Sequence, residues 1–127
     1  MTTLSDQEFE RIIAACIDEL PDKYARNLAN VVITYADDPS PEQREKLKLR
    51  CNETLFGLYE GIPLTKRGAN YNLVLPDKIT IFKNPILRAA HDLPSLRVQV
   101  KHTLWHEIGH YFGLGHGRIR ELEGRHE

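Results

Sequence analysis

Cysteine is scarce in this sequence. Cys16 and Cys51 are its two thiols in 127 residues. Neither belongs to a C-x-x-C pair, and two distant thiols are not the dense framework that staples a small secreted domain. Each lies in an apolar helical context and is expected to be a small buried hydrophobe. Long apolar runs are missing too: none approaches the ~18 residues a membrane span needs. The first residues, Met1 to Glu8, lack a basic stretch followed by an apolar core, so no secretory signal is expected. A basic surplus is also absent. Seventeen Lys and Arg stand against 18 Asp and Glu, for a formal charge of −1. That argues against nucleic acid as the main partner, although a local basic patch stays compatible with it. These absences predict a cytoplasmic monomer with neither a nucleic-acid nor a membrane partner.

What is present is ordinary for a globular chain. Hydrophobic residues make up 41% and charged residues 28%, which excludes wholesale disorder. The length suits one domain over residues 1–127 with a core that needs no staples. Ser5-x-x-Glu8 reads as a capping box. Behind it Phe9, Ile12, Ile13, Cys16, Ile17 and Leu20 recur at helical spacing until Pro21, predicting a helix over 6–20. Tyr24 and Leu28 suggest a further helical turn.

Val31–Tyr35 is β-branched and aromatic, hence a strand. Pro41 opens a short charged helix running to Arg50. Leu55–Ile62 carries two glycines and reads as an edge strand. Thr65–Asn72 reads as a loop, Lys78–Phe82 as an alternating strand, and Pro85–His91 as a short helix. Asp92 or Ser95 then opens a long helix that Gly113 and Gly115 stop. Ile119 and Leu122 suggest a last turn. The order of elements is that of an α+β fold.

The chemistry concentrates in His106-Glu-Ile-Gly-His-Tyr-Phe-Gly-Leu-Gly-His116, an H-E-x-x-H-x-x-G-x-x-H pattern. A random chain of this composition would show its five fixed positions with a frequency on the order of 10⁻⁴. Residues i and i+4 of a helix share a face, so His106 and His110 can both reach one metal ion. Glu107, about 100° further round the helix, can reach a water on that metal. Gly113 lets the chain turn sharply and bring His116 back as a third ligand. Three protein ligands leave one position open, the arrangement of catalytic zinc. Zinc would then acidify water and polarise a scissile carbonyl, and Glu107 would act as general base. The expected activity is hydrolysis of peptide bonds in a peptide or protein substrate.

These residues resemble the zincin metallopeptidases, and the third histidine with its glycine resembles the metzincin form. A nearer resemblance is to a family of small bacterial zincin-like proteins, the minimal zincins. It extends over most of the chain from Val31, through Leu55–Leu64, Leu75–Phe82 and Thr103–Gly113. It implies a cut-down zincin fold, with a small mixed sheet of three or four strands and a long active-site helix. It also implies that Leu55–Ile62 pairs with extended substrate. The sole methionine is Met1, so the methionine turn of metzincins has no counterpart after His116.

Lesser candidates stand beside plainer readings. Tyr59 or Tyr71 could bond an oxyanion, but Tyr59 reads better as packing. His102, one turn before His106, could support the site or be a half-exposed helical histidine. Trp105 is expected to pack the helix onto the sheet. Arg118, Arg120 and Arg125 could select a carboxylate or form a solvated face, and His126 and Glu127 are unpromising as ligands. Two other functions compete with the peptidase. One is a catalytically silent zinc module that binds peptides. The other is a metal-dependent ribonuclease of similar ligand spacing, which Glu107 and the net charge disfavour.

Overall fold

The computed structural model describes residues 3–28, 31–48, 56–61 and 77–113. The chain opens with helix α1, Asp6–Asp18. The capping box is formed: the Ser5 hydroxyl accepts from the Glu8 amide, and the Glu8 carboxylate accepts from the Ser5 amide. A short helix α2, Asp22–Ala25, follows Pro21. Strand β1 spans Val31–Ala36, and helix α3 spans Pro41–Lys48.

Strand β2, Gly57–Glu60, is shorter than the Leu55–Ile62 expected. Strand β3 is Asp77–Phe82. Helix α4, Lys83–Ala89, begins two residues before the expected Pro85. It follows β3 without a loop, because the Asn84 amide donates to Asp37 O at the end of β1. The long helix α5 covers Leu93–Phe112. Both proposed openers take part: Asp92 is the N-cap, and Ser95 is its reciprocal partner in a second capping box. Gly113 ends the helix at φ 74°, left-handed backbone that glycine adopts without steric cost. Cys51, the Thr65–Asn72 loop, Tyr71 and the turn at Ile119–Leu122 lie outside the described residues.

The three strands form one mixed sheet in the order β1-β3-β2. β1 runs parallel to β3, with Ile33 beside Ile79 and Tyr35 beside Ile81. β2 runs antiparallel to β3, with Gly57 opposite Ile81 and Tyr59 opposite Ile79. Period-two alternation sorts the side chains. Ile79, Ile81 and Tyr59 join the main core, while Leu58 and Phe82 pack on the other face with Ala36. α1 contributes Phe9, Ile12, Ile13 and Cys16 to the main core, and α5 contributes Leu96, Val100, Leu104 and Ile108. This is the α+β architecture expected from the order of elements, a three-stranded mixed sheet beside a long helix. Among the described residues no helix is long and apolar enough to cross a membrane.

Candidate metal site on helix α5

The site is built by one helix and by what holds that helix still. His106 and His110 lie four residues apart on α5, so their rings project one above the other. The ring centroids are 4.7 Å apart at an interplanar angle of 78°. The two Nε2 atoms are 3.1 Å apart. One carboxylate oxygen of Glu107 and one nitrogen from each ring all lie within 4.8 Å of one another. His106 is 8% exposed and Glu107 2%, whereas His110 is half-buried. The site thus sits at the rim of the core, with its open side at His110.

The donor set fits a metal ion. Two nitrogens bound to tetrahedral zinc at 2.0–2.1 Å would stand about 3.3 Å apart, close to the separation seen. Imidazole nitrogen with carboxylate oxygen is also a zinc-compatible combination. His116, the expected third ligand, lies outside the described residues, as do Arg118, Arg120, Arg125, His126 and Glu127. His102 lies on α5 one turn before His106 and is half-buried.

The supports of α5 come from three directions. Against α1, the Trp105 indole Nε1–H donates to Cys16 O at 3.1 Å. An indole N–H needs a buried acceptor, and a carbonyl near the end of α1 supplies it; the ring itself belongs to the core that includes Tyr59, Ile79 and Ile81 of the sheet. Lys101 lies over the same ring, its Nζ 4.6 Å from the centroid, and pairs with Glu19 of α1 at 3.2 Å. Against the sheet, Gly57 permits a close approach. A Cβ there would meet Thr103 Cγ2 at 2.6 Å and Thr80 O at 3.2 Å. Thr103 lies one turn before the His106–His110 cluster, so β2 sets the height of that cluster above the sheet.

The third support joins β2 and β3. Tyr59 is 1% exposed, and its hydroxyl donates to the buried Asp77 carboxylate at 2.8 Å. Its ring meets Tyr111 edge-on at 6.0 Å. Tyr59 is therefore the packing residue of the plainer reading, its hydroxyl engaged by Asp77. Sequence reasoning missed Asp77; the signal was a carboxylate at the start of an alternating strand whose Ile79 and Ile81 face the core. Glu60, at the end of β2, is half-buried. Burial raises its pKa, but hydrogen bonds from Lys46 and Gln43 outweigh that and hold the carboxyl below its ordinary value.

Comparison with known proteins agrees with this geometry. The family model for zincin-like metallopeptidases matches residues 28–126. A solved structure of a conserved hypothetical protein from Thermo thermophilus is similar at a TM-score of 0.52 and 20% identity, covering 95% of this chain and 99% of the other. That likeness concerns the fold. No curated protein matches the chain. With the family model spanning the sheet, the histidine helix and the region beyond it, the chain belongs to the zincin-like metallopeptidase family.

Proposed function

We propose that the protein is a zinc-dependent peptidase. The observation that supports this most is the pairing of His106 and His110 Nε2 atoms 3.1 Å apart, with the Glu107 carboxylate beside them, in a chain of the zincin-like family. His106 and His110 would hold zinc through these nitrogens, with His116 as the third ligand. When bound, zinc supplies a Lewis acid for the scissile carbonyl and for water.

The remaining work falls to side chains and backbone. Glu107 takes the proton of the attacking water on its carboxylate and returns it to the nitrogen of the departing amine. Its burial excludes competing bulk water and fixes its rotamer. The outer edge of β2, which no strand covers among the described residues, offers main-chain groups to an extended peptide. Thr103 and Gly57 keep that edge and the histidine helix at a fixed separation. Binding through backbone groups makes weak demands on substrate side chains, so broad sequence tolerance is expected.

The test is a peptide-library digest by zinc-loaded protein beside Glu107→Gln, read by mass spectrometry, with bound zinc measured in both. The expected result is cleavage by the parent alone, with equal zinc content and a loss of at least about 10²-fold in the variant. Equal cleavage by both proteins would remove Glu107 from the role. Bound zinc without cleavage by the parent would favour a peptide-binding module.

A further inference from the structure

A groove lies on the far side of α5 from the histidines. At about 100° per residue, Arg97, Val98 and Lys101 cluster on one side of α5, and His106 and His110 lie roughly opposite. Between α1 and this side of α5 runs an open groove of about 440 Å³. That volume lies within the range of small-molecule sites, about 300–1,000 Å³. Ile12, Ala15, Cys16 and Val98 give it an apolar floor. Val98 is 53% exposed, one of the few large hydrophobic residues left open to solvent among those described.

The charges around this floor are unbalanced. Arg11, Arg97 and Lys101 line the groove against a single carboxylate, Glu19. Lys101 is already committed to Glu19 and to the Trp105 ring. Among the described residues, neither arginine is in a salt bridge. The helix register separates the two kinds of cation. Cys16 Sγ stands 4.0 Å from Arg97 O, and Glu19 pairs with Lys101 about one turn further along both helices. Arg11 lies on α1 before Cys16, so it falls toward the Arg97 end. The groove is therefore closed at one end by a neutralised pair and carries two unmatched guanidinium groups toward the other.

We propose that this groove binds a small amphiphilic monocarboxylate, its apolar tail on the Ala15–Val98 floor and its carboxylate at the Arg11–Arg97 end. A guanidinium offers a planar fork that matches a carboxylate. The site is independent of the peptidase reading, because neither His106, Glu107 nor His110 lines the groove.

Octanoate is the probe, titrated into isotopically labelled full-length protein and followed through backbone amide shifts. Octanol has the same tail without the charge. Saturable shifts confined to the facing turns of α1 and α5 are expected, with octanol binding about fivefold or more weakly. Arg11→Ala and Arg97→Ala should each weaken octanoate about fivefold. Both side chains are exposed, so these variants should keep the fold. Ala15→Trp, also at an exposed position, should abolish the shifts by filling the groove. Equal affinity for octanol, unchanged affinity in both arginine variants, or no saturable shift would each overturn the proposal.

Discussion

Trp105 stands immediately before His106, and its indole spans α5 and α1. Trp105→Phe keeps an aromatic ring but removes the N–H, leaving Cys16 O without that donor. An unsatisfied buried carbonyl costs about 1–3 kcal/mol. The loss should be read as a lower urea midpoint at unchanged slope; an unmoved midpoint would show that the bond contributes nothing net. Asp92 illustrates a charge effect at the same scale. Hydrogen bonds from the Ser95 backbone and hydroxyl hold its carboxyl below the ordinary 3.8, as expected at a helix N-terminus. A depressed folded-state pKa gives stability that is present above the unfolded value and lost as pH falls through the folded one. Asp92→Asn keeps the cap but cannot titrate, so its melting temperature should fall less steeply below pH 3.8 than the parent's. Parallel curves would remove Asp92 from the acid response. The clustering of His106 and His110 was readable because a four-residue spacing on a helix has one spatial meaning. The acceptor for Trp105 was not, since Cys16 O lies on another helix and no local pattern names it.

At the scale of elements, the contact between β2 and α5 governs the site. Gly57→Ala would place a methyl group 2.6 Å from Thr103 Cγ2 and 3.2 Å from a backbone oxygen. The side chain could rotate, but the Thr80 carbonyl belongs to the central strand and cannot yield easily. Overpacking of this kind costs about 1–3 kcal/mol. The displaced α5 should also weaken zinc binding, measurable by competition with a chromophoric chelator. Unchanged zinc affinity with reduced stability would show that β2 supports the fold without positioning the ligands. The helices were legible through their caps: Ser5 with Glu8, Asp92 with Ser95, and Gly113 at the close. The strands were legible in composition but less so in extent. β2 is four residues long, its ladder with β3 running from Gly57–Ile81 to Glu60–Lys78, an extent that only the assembled sheet defines. The early start of α4 has the same kind of cause, a backbone bond to the end of β1 that only the assembled sheet provides.

Across the whole molecule, the metal and the fold should depend on each other. The histidine pair is positioned by α5, and α5 is held by α1, β2 and the buried side chains of the core. An unfolded chain cannot keep two ring nitrogens 3.1 Å apart. Zinc held there would therefore favour the native state, by about 4 kcal/mol when free zinc exceeds its dissociation constant a thousandfold. For a chain of this length that corresponds to roughly 10–15 °C in melting temperature. Chelation followed by zinc addition should reverse this shift in the parent and in Glu107→Gln, whose ligand nitrogens are intact. His110→Ala should lose most of it, because the helical pair of nitrogens is broken and one of the three proposed ligands is gone. Equal zinc-dependent shifts in the parent and His110→Ala would mean that the stabilising metal lies elsewhere. A shift in Glu107→Gln matching the parent's, joined to lost turnover, would separate the chemistry of the site from its contribution to the fold.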